Sequence, residues 1–377
     1  MEADSSLTNL ARAALAGVAP YEPGRPIDDV RRELGIEHVI KLASNEGPYP
    51  PAPAALEAMA AAAADVRLYP DSGAWHLRDA LSDHLAVPAE WILPGNGVDS
   101  LIKLLCLSVL DPGDDLAVCW PSFVSWRQGA AMMGAAIAEA ELAPDGSFDL
   151  DRLREAIGPR TKLAVVVSPN NPTGAAVGRA ALDDFLGTLP EHVLPVIDEA
   201  YFEYLPEGGH DAVRYAREGR SIVVMRTFSK AYALAGLRVG YMVAPPSLLG
   251  VVSRVRNAFD VNAIAQAAAI ASLRDADGVL RERLDEVARE RVRVAAGLVS
   301  QGLEVLPSTA NFVLVRFASP AAAQAVNRAL LHRGVIVRPA GPFGAPESLR
   351  ITIGLPSEND ELLAQMAGAL VDAAASD

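Results

Sequence analysis

Two cysteines in 377 residues, Cys106 and Cys119, are too few for a disulfide framework. Both sit in apolar runs (LIKLLCLSVL, DDLAVCWP), which suits small buried thiols in a reducing compartment. Metal ligands are as sparse: His38, His76, His84, His192, His210 and His332 form no HExxH or comparable cluster, so metal catalysis finds no support. No GxSxG marks a serine hydrolase. Positive charge is also short. With 33 Lys and Arg against 47 Asp and Glu, the net charge is −14, which argues against a nucleic-acid binder and obliges any anionic ligand to find a local cationic pocket. The N-terminus, MEADSSLTNLARAALAG, leads with acidic residues and breaks its apolar stretch at Asn9 and Arg12. It resembles neither a signal peptide nor a membrane span, and a cytoplasmic protein is expected.

What is present is a globular composition, 51% apolar and 21% charged, in a chain longer than one ordinary domain. The segment up to Gly17 has helical spacing, and DDVRREL and the alanine-rich Pro53–Ala64 also favour helix. Thereafter apolar runs (WILPG, DLAVCW, KLAVVV, VLPVID, SIVVMRTFS, VGYMVA) alternate with helical patterns. Strands that are apolar throughout and separated by helices predict an α/β unit with a mostly parallel sheet covered on both faces. From about Gly278 a long charged helix, then NFVLVRF, VIVRPA and LRITIG, predict a smaller α+β unit, with the break near SLRDADG at 272–278. The expected division is an arm over 1–45, a large domain over 46–275 and a small domain over 276–377.

Open α/β sheets bind ligands at the carboxyl ends of their strands, and each suggestive motif falls at such a place. GNGVDS (95–100) follows a strand and opens a helix. Its glycines let backbone approach a phosphate, and the N–H groups of Val98 and Asp99 suit an anion, although a purely structural turn reads equally well. It fails the dinucleotide fingerprint, having Ser100 in place of a third glycine. SPNNPTG (168–174) offers Asn171, or only a turn. VIDEAY (196–201) puts Asp198 at the end of an apolar strand, where a buried carboxylate needs a partner, with Tyr201 beyond it. TFSKAYALAGLR (227–238) sets Lys230 beside Ser229 and near Thr227, with Arg238 eight positions on. Alone, Lys230 reads as a surface lysine. Together these groups suit one ligand with a phosphate at one end and a ring nitrogen at the other, namely pyridoxal 5'-phosphate. Lys230 would bond to its aldehyde, while Thr227, Ser229, Arg238 and the Gly97 turn hold its phosphate. Asp198 would face the ring nitrogen, and Asn171 and Tyr201 the ring's phenolic oxygen. Cationic neighbours and partial burial would lower the lysine's pKa.

PYEPGRP, IKLASNEGPYP, RLYPDSGAWHLRDAL, LPGNGVDSLI, SPNNPTG, VIDEAYFEY, TFSKAYALAGLRVGY, NFVLVR and LRITIG, in this order, run nearly end to end. On these motifs the chain resembles the fold-type I pyridoxal-phosphate aminotransferases, and within them the histidinol-phosphate branch. The resemblance implies a homodimer whose Tyr69 reaches the partner's cofactor phosphate, and Phe123 stacked on the pyridine ring. It also implies Arg350 gripping the substrate's anion, a task suited to arginine, with Tyr21, Asn45 and Arg338 at the substrate. It implies ping-pong transfer from histidinol phosphate to 2-oxoglutarate. An aromatic amino acid, such as phenylalanine, or another specialised amine is the alternative donor; a decarboxylase of the same fold or a non-catalytic regulator is the alternative class. The chain departs from the branch at Phe123, where tyrosine is usual, at GPYPP after SNE, at Ser100, where glutamate is usual, and at Trp120. These departures bear on the donor rather than the cofactor.

Overall fold

A computed structural model describes residues 10–20, 24–274 and 276–375. Short strand β1 (Ile40–Lys41) precedes a run of seven: β2 (Ile92–Gly95), β3 (Asp115–Trp120), β4 (Ala136–Glu141), β5 (Thr161–Val167), β6 (Leu194–Asp198), β7 (Val223–Thr227) and β8 (Gly240–Val243). These seven form one sheet in the order β2-β8-β7-β6-β5-β3-β4. All neighbours pair in parallel except β8, which is antiparallel to β2 and β7.

The apolar runs explain this layering. Along β5, Leu163, Val165 and Val167 join the core on one face of the sheet, while Ala164 and Val166 join the core on the other. With both faces buried, each residue of a strand can be apolar, and helices must cover both sides. β4 has no such signature: AIAEAE alternates and is largely exposed, as an edge strand can be, so it does not stand out from the sequence.

The smaller sheet has the order β12-β13-β10-β9, built from β9 (Glu304–Val305), β10 (Phe312–Arg316), β12 (Arg338–Pro339) and β13 (Ser348–Thr352), all antiparallel. The VIVRPA segment expected as one strand is divided. Its first part, β11 (Val335–Ile336), pairs with β1 instead, and β12 ends at Pro339, which cannot donate to a ladder. The helix Ala263–Arg274 gives way beyond residue 275 to a wide helical turn, Ala276–Leu280, and then to the long charged helix Arg281–Ser300. The N-terminal helix expected up to Gly17 is, among the described residues, a single turn, Ala13–Leu15, with no buried residue to anchor it. Isolated short helices are marginal without such packing. No helix among the described residues is long and apolar enough to cross a membrane.

Candidate functional site

Four of the sheet's parallel strands and one antiparallel neighbour bring their polar groups to a single cavity of about 240 Å³. On its anion-binding side, Gly97 caps the helix Val98–Val109 with φ 79°, a conformation that glycine adopts without steric cost. A Cβ there would lie 2.6 Å from Arg238 Nη2, so only glycine lets the guanidinium approach the turn. Arg238 Nη1 donates to Ser229 Oγ over 3.4 Å, and Thr227 Oγ1 donates to Ser229 Oγ over 3.0 Å. Hydroxyls, a guanidinium and a helix's unpaired N–H groups thus share one wall, a donor set that fits a phosphate.

Lys230 Nζ donates to the Ser44 carbonyl over 3.1 Å. Burial lowers its pKa to about 8, assisted by Arg350 and Arg238 and opposed by Glu46 and Asp99. The amine is therefore unprotonated in a usable fraction near neutral pH, as a nucleophile or base requires. Asp198 is 1% exposed. Its Oδ2 accepts from Trp126 Nε1 at 3.0 Å and its Oδ1 from the Ala200 N–H at 3.3 Å. Burial raises its pKa to about 6; those hydrogen bonds lower it and the charges of Asp99 and Glu199 raise it further.

The opposite wall comes from distant parts of the chain. Arg350 on β13 donates to Asn171 Oδ1 at 2.6 Å and to the Ala43 carbonyl at 2.7 Å. Arg338 is its register partner on β12, and both guanidinium groups lie over the Phe343 ring, at 5.4 and 5.2 Å for Arg338 and Arg350. Asn45, held in the left-handed region, donates from Nδ2 to the Tyr201 hydroxyl at 2.9 Å and accepts from Thr352 Oγ1 at 3.1 Å.

Of the residues singled out in the sequence, Asn45, Val98, Asp99, Phe123, Asn171, Asp198, Tyr201, Thr227, Ser229, Lys230, Arg238, Arg338 and Arg350 line this cavity, with Gly97 directly behind Arg238. Tyr69 does not. It is 82% exposed and stacks on Phe259 with ring centroids 4.5 Å apart. Tyr21 lies outside the described residues. Lys230 is as expected in direction of its shift, with burial the leading cause. Trp126 was not foreseen, because an indole on an apolar helix face reads as core. Neither was the pairing of Glu199 with Arg226 at 2.7 Å, although two charges flanking apolar strand ends at 199 and 226 signal a buried pair.

Residues 37–366 match the family model described as aminotransferase class I and II. The chain is 43% identical over 357 residues to a histidinol-phosphate aminotransferase of Moorella thermoacetica, covering 93% of this chain and 91% of that one. The crystal structure of histidinol-phosphate aminotransferase from Sinorhizobium meliloti in complex with pyridoxal-5'-phosphate is similar with a TM-score of 0.86 and 29% identity, covering 96% of this chain and 98% of that one. The aspartate aminotransferase from Thermus thermophilus with maleate has a TM-score of 0.83 and 27% identity, covering 96% and 99%.

Proposed function

Because the chain belongs to the class I and II aminotransferases, we propose that it uses pyridoxal 5'-phosphate to move the amino group of histidinol phosphate to 2-oxoglutarate. The observation that carries this reading is the placement of Lys230 and Asp198 in one cavity beside an anion cradle, each shifted by burial towards the other's range. The names of relatives at about 40% identity over nearly the whole chain support the donor.

When bound, pyridoxal phosphate supplies an aldehyde that takes the amino group and a ring that draws electrons from the amino-bearing carbon. Thr227, Ser229, Arg238 and the first N–H groups of the helix Val98–Val109 would hold the phosphate, with Phe123 at the ring's side of the cavity. Asp198, when ionised, would favour a proton on the ring nitrogen. Arg350 can only donate, so Asn171 must turn its carbonyl oxygen to that arginine, which leaves the amide NH2 for the ring's oxygen alongside Tyr201. Lys230 Nζ, its pKa lowered to about 8 by burial, would hold the aldehyde and is the amine in this cavity that could take a proton from the amino-bearing carbon and return it. Arg350 and Arg338 anchor the anionic groups of the donor and of the acceptor in turn.

The reading includes a homodimer with shared sites. Tyr69 at 82% exposure, Trp75 at 61% and Leu68 at 54% make an apolar surface that a second copy would cover. It also includes the division into an arm (1–45), a cofactor-binding domain (46–275) and a small domain (276–377). The confinement of the large sheet to 92–243 and of the small one to 304–352 supports it.

Initial rates with histidinol phosphate and with phenylalanine as donor, both against 2-oxoglutarate, test the reading. Histidinol phosphate should give the higher kcat/KM and a keto product. Faster turnover of phenylalanine would replace the donor, and carbon dioxide without keto product would replace the reaction.

A further inference from the structure

Asp198 is held on two sides by groups that can only donate. The Ala200 N–H contact is long at 3.3 Å, whereas the Trp126 indole N–H is at 3.0 Å and comes from another element, the helix Val124–Met133. Trp126 is fully buried and is among the largest enclosed side chains of the molecule. An indole has a donor and no acceptor in the ring plane, so it cannot take a proton from the carboxyl group it faces. It therefore favours the carboxylate over the neutral acid and fixes which oxygen is turned towards the helix. The same helix is capped at its start by Phe123, whose carbonyl accepts from the Trp126 backbone N–H at 3.3 Å. One turn of helix thus ties Phe123, which lines the cavity, to the donor behind the carboxylate.

We propose that Trp126 is a positioning residue, whose indole N–H aims the Asp198 carboxylate at the cofactor's ring nitrogen and keeps it ionised. This rests on the pyridoxal-phosphate reading above. The other charges facing Asp198 are Asp99, at the start of the helix Val98–Val109, and its own neighbour Glu199, and both favour protonation. The cations Lys230 and Arg238 line the same cavity. Trp126 is thus a donor that opposes both the burial and the acidic neighbours.

The test compares the parent enzyme with Trp126→Phe and with a variant carrying 3-benzothienylalanine at 126, where sulfur replaces the N–H in a ring of the same shape. The dissociation constant of pyridoxal phosphate from each is measured between pH 5.5 and 9 by titrating the apoenzyme. Loss of one charge-assisted hydrogen bond should weaken cofactor binding towards about 10-fold at the acidic end of this range. Without that donor the carboxyl group protonates at higher pH, so the weakening on acidification should begin at higher pH, and the sulfur variant should converge on the parent at the alkaline end. A benzothienyl variant with the parent's affinity and pH dependence would overturn the proposal, even if Trp126→Phe bound poorly through lost packing. A parent protein that takes up no cofactor would instead overturn the reading beneath it.

Discussion

Asp198 and Glu199 are neighbours in the chain, as are Arg226 and Thr227, yet within each pair the two residues belong to different regions. Glu199 Oε2 accepts from Arg226 Nε at 2.8 Å and Nη2 at 2.7 Å, and the same Nη2 reaches Asp211 Oδ1 at 2.7 Å. Glu199 Oε1 accepts from the Ala212 N–H, and the guanidinium lies 3.4 Å from the Phe202 ring centroid. Burial alone would lower the pKa of Arg226, but Glu199 and its other anionic neighbours outweigh it and raise it. Asp198 and Thr227 face the cavity instead, with Lys230. Asp198 and Lys230 make no ion pair with each other, and burial moves their pKa values to about 6 and about 8. A strand end sends successive side chains to opposite faces. One face thus carries an ion pair made within the protein; the other carries two buried charges that do not pair with each other.

The largest effect should follow from Lys230→Ala. Loss of both the covalent anchor and the base should lower turnover about 10⁴-fold or more, with the fold intact. Turnover assays together with mass spectrometry after borohydride reduction check this: the parent should retain cofactor mass and the variant none. A variant with substantial turnover would remove Lys230 from the reaction.

On the other face the prediction inverts, because Arg226→Met should harm stability first. It leaves Glu199 buried without its bidentate partner, and breaking a buried pair from one side costs roughly 3–5 kcal/mol. Urea unfolding of the apoenzyme reads this directly. A loss below about 1 kcal/mol would mean that the pair is not the brace between β6 and β7 that its geometry suggests.

How far these two regions could be read from the sequence differs for a physical reason. Lys230, Thr227, Ser229 and Arg238 occur within twelve residues, Asp198 ends a strand and Gly97 and Asn171 follow strand ends closely, so local pattern and the strand-end rule suffice to group them. The apolar runs show which strands are buried on both faces, but not β4, whose exposed edge carries no such signal. The contacts Arg350 to Asn171, Asn45 to Tyr201 and Trp126 to Asp198 join residues 179, 156 and 72 positions apart. Only the folded chain brings these together. Arg350 and Asn45 entered through the resemblance, and Trp126, which had none to mark it, did not enter at all.

A smaller effect separates the regions by pH. The Asp198 carboxyl group binds its proton more tightly in the folded state, with a pKa of about 6 against 3.8, so its contribution to stability is full below 3.8 and is lost as pH rises through about 6. Lys230 has the opposite sign: its folded pKa of about 8 lies below 10.5, so the unfolded chain binds more protons between these values and stability rises with pH across that window. Between pH 6 and 8 the apoenzyme bears the cost of both charges. Asp198→Asn removes the buried charge, keeps an oxygen for the Trp126 N–H and gives up the long contact to the Ala200 N–H, so it should stabilise the apoenzyme at pH 7 by no more than about 1 kcal/mol while impairing catalysis. Thermal unfolding with and without cofactor checks this. An apoenzyme destabilised by the change would show that Asp198 is already satisfied without a ligand.

The smallest effect tests whether the paired cluster is graded by exposure. Asp211 sits at its rim, with a side chain 30% exposed, accepting from Arg226 and from Arg217 Nη1 at 2.9 Å, while Oδ1 accepts from the Val213 N–H at 3.1 Å. Burial raises its pKa, but the two arginines outweigh this and lower it. Asp211→Asn keeps an oxygen to cap the short helix Val213–Arg217 and removes only the charge. Water reaches this carboxylate, so the loss should be about 1 kcal/mol, well below that of Arg226→Met. A carboxyl group with a lowered folded pKa contributes its stability above the unfolded value and loses it as pH falls through the folded one. The gap between parent and variant in urea should therefore be full at pH 7 and shrink below about pH 4, where Asp211 of the unfolded chain begins to gain its proton. A gap that stayed constant down to pH 3 would assign the effect to the cap and leave the Arg226–Glu199 pair as the whole of the buried brace.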